Sequence, residues 1–147
     1  MRKSIYFAVF AYLLFLTFSV TASSIDKTPQ LIAVEYMIKA VNEKNAENYV
    51  KPFAENVEIY VGSELKVKGK ESLRLNRENH FRQHPDVRSE IKYLVEIDNK
   101  VIMHDKVWLT NSEVVGRDIV EIFTFENGKI SKVSVIQPSD LFEQSEH

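Results

Sequence analysis

The sequence predicts an α+β domain in which three N-terminal helices pack on a curved, mainly antiparallel sheet. Apolar residues recur at helical spacing through much of the chain before Pro85, whereas apolar and polar residues alternate at strand spacing after it. A long curved sheet wrapped around packed helices forms a cone-shaped barrel. We expect its interior to be a pocket.

Three segments are predicted to be helical. The first opens with a threonine, whose hydroxyl can cap a helix, and a proline, which suits the first helical position. The third ends at Pro85, because the residue before a proline disfavours helical geometry. The predicted spans are Thr28 to about Lys44, Ala46 to about Phe53, and about Lys70 to His84.

Six segments are predicted to be strands: a short hairpin before the third helix and a four-strand antiparallel meander after it. The last turn contains Asn127-Gly128, a strong hairpin signal because both residues tolerate positive φ. Alternation in the first long strand places Ile91, Tyr93, Val95 and Ile97 on one face. The predicted spans are Val57–Val61, Leu65–Lys68, Ser89–Ile97, Val101–Thr110, Val115–Phe125 and Ile130–Gln137.

Residues 1–22 are predicted to be a removable export signal. A basic start precedes an almost wholly apolar run from Ile5 to Val20, and Val20-Thr21-Ala22 places small residues at a cleavage site. The alternative is an uncleaved membrane anchor, but the run is shorter than the roughly 20 residues that a spanning helix needs. We therefore expect one domain over residues 23–147, in the periplasm or secreted.

Composition narrows the possible partners. The chain has no cysteine, which excludes disulfides and lipidation of a cysteine after cleavage. Removing Arg2 and Lys3 takes the 19 basic residues to 17, against 21 acidic ones, for a net charge of −4. Binding to nucleic acid, or to an acidic membrane after signal cleavage, therefore has no electrostatic support. With no Gly-rich phosphate loop and no nucleophile elbow, no cofactor is predicted.

Three stretches resemble one known family. They are Phe-Ala-Glu-Asn-Val-Glu-Ile-Tyr at 53–60, Val-Lys-Gly-Lys-Glu at 67–71 and Ile-Phe-Thr-Phe-Glu-Asn-Gly-Lys-Ile at 122–130. They resemble the SnoaL-like, nuclear-transport-factor-2-like superfamily, which has a cystatin-like fold and includes the ketosteroid isomerases. The resemblance covers nearly all of the mature chain. It is specific for the fold, which hosts many unrelated activities.

The resemblance also implies roles for single residues. In ketosteroid isomerases a helix tyrosine and a strand carboxylic acid donate hydrogen bonds to a forming oxyanion, and a second aspartate moves the proton. Tyr36 and Glu121 match the two donors, but Val61 occupies the position of the base. A valine cannot accept a proton, which argues against steroid-isomerase chemistry. The matched final strand implies Val133, Val135 and Gln137 as pocket lining.

Glu121 is the main candidate for chemistry. It interrupts an apolar run and shares a strand face with Ile119 and Phe123, the face that lines the cavity by the family match. There its pKa would be raised and it could act as an acid or a base. The alternative is a solvated or lysine-paired Glu. Tyr36 and Tyr60 are predicted to join this lining, although Tyr36 could equally be a packed helix ring.

Three further groups have open alternatives. Arg117 could bind an anionic ligand at the cavity mouth or be a solvated rim residue. His80 and His84 have a metal-ligand spacing, but such pairs on a polar helix are more often solvated, and no metal is predicted. The stripe His104, Lys106 and Trp108 lies on the strand face opposite Met103, Asp105 and Val107, and either lines the pocket or faces a second subunit.

Three functions remain. The first is an exported binding domain for a small apolar or amphipathic molecule. The second is a cofactor-independent isomerase, lyase or cyclase that uses Glu121 as acid/base and Tyr36 as hydrogen-bond donor. The third is a homodimeric interaction protein whose outer sheet face is the interface. The first is favoured because the pocket has one expected carboxylate and a valine at the base position.

Overall fold

The structure, a computed structural model, describes residues 26–138. It confirms the α+β class, with helices packed on a curved sheet. The elements are α1 (Pro29–Asn42), α2 (Ala46–Val50), β1 (Phe53–Val61), β2 (Glu64–Lys68), α3 (Lys70–Gln83), β3 (Arg88–Ile97), β4 (Lys100–Trp108), β5 (Arg117–Glu126) and β6 (Lys129–Ile136). The predicted export signal lies outside the described residues. Within residues 26–138, each helix is too short or too polar to span a membrane.

All six strands form one sheet in the order β2-β1-β6-β5-β4-β3. The pairing of β1 with β6 is parallel and every other pairing is antiparallel. Helix α1 packs on β3 and β4, α3 packs on β1 and β2, and α2 contacts both other helices. The helices therefore cover one face of the sheet, called here the inner face. The opposite face is the outer face.

Local signals set several boundaries as the sequence predicts. The Thr28 hydroxyl caps α1 by accepting from the Leu31 amide (3.3 Å), with Pro29 at the first helical position. The Asn45 side chain caps α2 by accepting from the Asn48 amide (2.9 Å). The β5–β6 turn has Asn127 and Gly128 at φ 50° and 74°, the geometry expected of its sequence.

The boundary between α2 and β1 differs from the prediction. Helix α2 ends at Val50, and Phe53 already belongs to β1, where it pairs with Ile130 of β6. The ring of Phe53 is buried and stacks on Tyr49 with 5.4 Å between centroids. Strand pairing to a distant segment and burial of this ring thus outweigh the local helical pattern.

Strand β3 contains a bulge that the alternation pattern does not reveal. Ile91 pairs with Asp105, but Tyr93 pairs with His104, so Lys92 is an extra residue in β3. Such an insertion reverses the alternation on its far side. The prediction that Ile91, Tyr93, Val95 and Ile97 share one face is therefore wrong. Ile91 packs against the core, and the other three are exposed.

The link from β4 to β5 is longer than predicted, because β5 begins at Arg117 rather than Val115. Val114 and Val115 are exposed. Gly116 lies under Trp108, where an added Cβ would come within 2.5 Å of the indole Cε2. The loop therefore requires glycine at this position for the indole to pack.

Candidate functional site

A cavity of about 630 Å³ lies between the helices and the inner face of the sheet. Its size falls within the range of about 300–1,000 Å³ that is typical of small-molecule sites. Its lining comes from all three helices, from all six strands and from the β4–β5 link. The principal lining residues are Met37, Val41, Tyr49, Ile59, Val61, Leu73, Asn76, Arg77, Asn79, His80, Gln83, His84, Ser89, Asp105, Arg117, Ile119, Glu121, Val133, Val135 and Gln137.

The cavity has two chemically different walls. Strands β1, β5 and β6 contribute mostly branched aliphatic side chains, such as Val61, Ile119 and Val135. Helix α3 contributes a largely polar wall, because the residues that it turns toward the cavity include Arg77 and His80 as well as the apolar Leu73. A molecule with one apolar and one polar side would match both walls.

Glu121 lies on β5 among apolar neighbours, paired across the sheet with Met103 of β4 and Val135 of β6. It is partly buried and lines the cavity. Burial, followed by the nearby carboxyl of Asp105, raises its pKa to about 8, and Arg77 opposes both effects. Glu121 therefore carries a proton at neutral pH and can donate a hydrogen bond into the cavity.

Asp105 provides a second carboxyl on the same wall. It is 2% exposed and pairs with Ile119, two residues from Glu121 along β5. Its Oδ2 accepts a hydrogen bond from the Ser89 hydroxyl (2.5 Å), whereas Oδ1 has no partner within the described residues. Burial raises its pKa, partly offset by the Ser89 hydrogen bond. The Asp105 carboxyl in turn raises the pKa of Glu121, because the two acids are close and poorly solvated.

Ser89 is held in place by α1. The Asn42 amide group donates to the Ser89 carbonyl (2.9 Å) and accepts from the Ser89 backbone N–H (2.8 Å). This two-point contact fixes the end of β3 against the C-terminus of α1. The Ser89 hydroxyl is thereby positioned to donate to Asp105.

Helices α2 and α3 place Tyr49 and Arg77 near these acids, and His80 lies near Arg77 in the same lining. Arg77 lies over the Tyr49 ring, with 5.8 Å between the guanidinium carbon and the ring centroid. Burial raises the pKa of the Tyr49 hydroxyl above its ordinary value, opposed by Arg77 and reinforced by Glu121. Burial, followed by Arg77 and His84, lowers the pKa of His80 to about 3. Tyr49 and His80 are therefore neutral near pH 7.

His80 and His84 lie side by side, with ring centroids 4.8 Å apart. Within residues 26–138, no group of three or more His, Cys, Asp or Glu side chains is arranged to hold a metal ion. His80 lies in the cavity wall and burial lowers its pKa, so it is not a simple solvated side chain.

The structure places six of the nine predicted ligand-binding residues in the cavity wall, and Val61 lies beside them. The six are Arg117, Ile119, Glu121, Val133, Val135 and Gln137. Arg117 forms an ion pair with Glu113 (3.1 Å), so it is not a simple solvated rim residue. Alternation along β5 put Arg117, Ile119 and Glu121 on one face, and the family match implied the three β6-side positions. Both sets face the cavity, because the register of β5 and β6 is regular between Val120 and Thr124.

The other three predicted residues, Tyr36, Tyr60 and Phe123, do not line the cavity. Tyr36 is 36% exposed, since α1 turns Met37 and Val41 inward instead. Tyr60 lies on the outer face, where its hydroxyl donates to Glu58 (2.9 Å) and Lys132 covers its ring. Phe123 faces inward but is fully buried in the core next to the cavity.

The His104 stripe faces outward. The His104 Nε2 is 2.9 Å from Asp118, and its ring stacks on Tyr93 at 5.8 Å between centroids. Trp108 lies on the same face under Arg88, 3.5 Å from the guanidinium carbon. Of the two locations that the sequence left open, the stripe therefore occupies the outer one, and Asp105 faces the cavity instead.

The cavity residues that sequence reasoning missed include Asp105, Arg77 and Tyr49. Asp105 had a signal, because it shares the alternation phase of Met103 and Val107. Arg77 lies four residues after Leu73 and three before His80, which places it on the same helical face. Tyr49 lies on a helix too short for periodicity to define an inward face.

Comparison with known proteins identifies the class. Residues 34–133 match the family profile described as a SnoaL-like domain. The chain belongs to this family. No curated protein matches it.

Solved structures share the fold. An uncharacterised cystatin-fold protein from Novosphingobium aromaticivorans is 24% identical, with 76% of this chain and 100% of that chain covered and a TM-score of 0.67. An NTF2-like protein of unknown function from Cytophaga hutchinsonii is 17% identical, with coverages of 82% and 98% and a TM-score of 0.65. A de novo designed protein with a curved β-sheet is 17% identical, with coverages of 79% and 90% and a TM-score of 0.68. These likenesses establish the fold, and function has to be argued from the site.

Proposed function

We propose that the protein is an exported binding domain that holds one small amphipathic molecule in the cavity between its helices and its sheet. The observation that carries the proposal is the two-sided lining of a cavity of about 630 Å³. Aliphatic side chains of the sheet would cover the apolar side of the ligand. Glu121, Arg77 and His80 would meet its polar side. Apolar walls with a few convergent polar groups are typical of ligand sites.

A pair of neighbouring substitutions on β6 tests binding. Val135 lines the cavity, whereas Ile136 is 60% exposed. We expect Val135→Phe to fill part of the cavity and abolish the thermal stabilisation produced by ligands from a library of small amphipathic compounds. Ile136→Phe adds an aromatic ring at the next residue and leaves ligand binding unchanged. No thermal shift across the library for the unaltered protein would contradict the proposal.

Export is part of the proposal. We propose that residues 1–22 are removed during translocation and that the domain acts in the periplasm or outside the cell. The intact mass of protein recovered from its native compartment tests this. A mass corresponding to a chain that begins at Ser23 is expected, and a full-length chain retained in the membrane fraction would contradict it.

A second candidate function is cofactor-independent acid–base catalysis on the bound molecule. It is favoured by the pKa of about 8 at Glu121, which would let this side chain hold and release a proton near neutral pH. Tyr49, rather than Tyr36, would be the neighbouring hydroxyl. The diagnostic experiment is proton exchange from candidate ligands in deuterated buffer. Catalysis predicts exchange that is lost in Glu121→Gln, and equal exchange in both proteins would exclude it.

We also propose that two copies pair through the outer face. Apolar side chains of β3 are exposed there, with Tyr93 at 70%, Val95 at 49% and Ile97 at 58%. Contiguous apolar surface of this kind is typical of interaction sites. Size-exclusion chromatography with light scattering tests the proposal: a dimer is expected for the unaltered protein and a monomer for Ile97→Lys. A strict monomer at high concentration would contradict it.

A further inference from the structure

Helix α3 carries two arginines with contrasting environments, and the contrast indicates what the cavity binds. Arg74 is surrounded by acids, with its guanidinium 3.2 Å from Glu47, 2.7 Å from Glu71 and 3.1 Å from Glu78. Arg77, three residues further along α3, lines the cavity and has no acid within ion-pair distance among the described residues. Its Nε and Nη2 bond only to the side-chain oxygen of Asn76 (3.1 and 2.7 Å), and within residues 26–138 it forms no ion pair.

Arg117, which lines the cavity from β5, has a second hydrogen-bond donor without a partner. Its Nη2 is paired with Glu113 at 3.1 Å, but its Nη1 is buried and has no hydrogen-bond partner within the described residues. Buried polar groups normally have a hydrogen-bond partner, and this guanidinium nitrogen in the cavity wall lacks one. A ligand acceptor would supply one.

The charges of the lining favour an anion. Three lining residues are cationic (Lys66, Arg77 and Arg117) and two are acidic (Asp105 and Glu121). The acids are adjacent and poorly solvated, which raises the pKa of Glu121 to about 8, so the pair does not hold two negative charges at neutral pH. Lys66 and Arg117 are paired with Glu64 (2.8 Å) and Glu113 (3.1 Å), so Arg77 is the lining cation in residues 26–138 that no acid neutralises within ion-pair distance. The cavity therefore presents one available positive charge and hydrogen-bond donors.

We propose that the molecule held in this cavity is a small apolar monocarboxylate whose carboxylate is bound by Arg77 with Arg117 as a second donor. This inference rests on the proposed binding function and specifies its ligand class. Guanidinium groups bind planar, two-oxygen anions with paired hydrogen bonds, so a carboxylate suits these side chains. The aliphatic wall formed by residues such as Val61 and Ile119 accommodates the apolar remainder.

Binding of three probes of one shape tests the ligand class at pH 7: 1-naphthoate, the neutral 1-naphthamide and the cationic 1-naphthylmethylamine. Isothermal titration calorimetry of the mature protein is expected to give about tenfold tighter binding for the carboxylate than for the amide. The amine is expected to bind most weakly. Equal binding of acid and amide, or preference for the amine, would overturn the carboxylate class while the proposed binding function stands.

Matched arginine variants locate the contact. Arg77→Gln is expected to remove the preference for the acid over the amide, and Arg82→Gln, an exposed position on the same helix outside the cavity lining, to retain it. Arg117→Gln, an independent test in a different element, is expected to reduce the preference. Retention of the full preference in both Arg77→Gln and Arg117→Gln would overturn the assignment. If none of the probes binds and the wider library also gives no thermal shift, the proposed function fails, and the ligand class with it.

Discussion

The inner and outer faces of the sheet shift the pKa of carboxyl side chains in opposite directions. On the inner face, burial raises the pKa values of Asp105 and Glu121. On the outer face, a hydrogen bond from His104 lowers the pKa of Asp118, and one from Lys68 lowers that of Glu58. Asp105 on β4 and Asp118 on β5 are near neighbours on adjacent strands, but Asp105 lies on the inner face and Asp118 on the outer face. Solvation and partners, rather than sequence neighbourhood, therefore decide which carboxyl keeps its proton.

Truncation of buried and exposed apolar side chains is expected to give the largest difference between the faces. Phe123 is fully buried on the inner side of β5, and Ile136 is 60% exposed on the outer side of β6. Phe123→Ala is expected to lower the free energy of unfolding by about 3–5 kcal/mol, because the cavity left behind cannot close completely. Ile136→Ala is expected to change it by less than about 0.5 kcal/mol. Urea denaturation of both variants measures the contrast, and similar losses would show that the outer face is also a packed interior.

The pH dependence of stability is expected to be the next largest effect. The pKa of Glu121 is about 8 in the folded protein and near 4.5 in the unfolded chain, so the folded state binds more protons between these values. Its contribution to stability is complete below about pH 4.5 and is lost as the pH rises to about 8. The loss is at most about 1.4 kcal/mol per pH unit for one proton.

Glu121→Gln is the variant that isolates this effect. We expect it to fold and to flatten the decline in the free energy of unfolding between pH 6.5 and pH 8, measured by urea denaturation at several pH values. Below pH 6.5 the lowered pKa of His80, about 3, acts in the opposite direction, because the unfolded chain then binds the extra proton. Asp118→Asn, the outer-face control, leaves the decline in place. A Glu121 carboxyl that titrates near the ordinary glutamate pKa of 4.5 by NMR would contradict the assigned environment.

The smallest expected effect is the acid titration of the outer face. The pKa of Asp118 is lowered by His104, so this group stabilises the folded state above its unfolded pKa and loses that contribution as the pH falls. The effect is expected to be slight, because the side chain is 59% exposed and solvent screens the pair. Stability measured from pH 5 down to pH 3 is expected to differ little between the unaltered protein and Asp118→Asn. A large difference would mean that this carboxyl is shielded, for example by a second copy.

Much of the fold could be predicted because its signals are local. The cap at Thr28, the turn at Asn127-Gly128 and the stop at Pro85 each act within a few residues. The bulge at Lys92 could not be predicted, because it depends on how β3 pairs with β4. The early start of β1 at Phe53 likewise depends on a partner strand about 75 residues away along the chain, in the pairing with Ile130.

The site was predictable where a single residue contradicts its surroundings. Glu121 stands out as the only charge in an apolar run, whereas Asp105 lies in a strand with polar residues on both faces, so the pattern alone does not select its orientation. The choice between Tyr36 and Tyr49 is similar. Both are helix tyrosines, and which of them meets Glu121 follows from how α1 and α2 pack on the sheet rather than from either helix alone.

The contact of Asn42 with Ser89 has a consequence for how relatives of this protein are compared. Asn42 does not line the cavity, yet it fixes the strand end that carries the hydroxyl bonded to Asp105. Replacing Asn42 would loosen that hydroxyl and alter how the two acids share their proton, with every cavity-lining side chain unchanged. Two relatives with identical cavity linings could therefore differ in the pH at which these acids lose their proton. A substitution at position 42 could change that pH although the residue does not line the cavity.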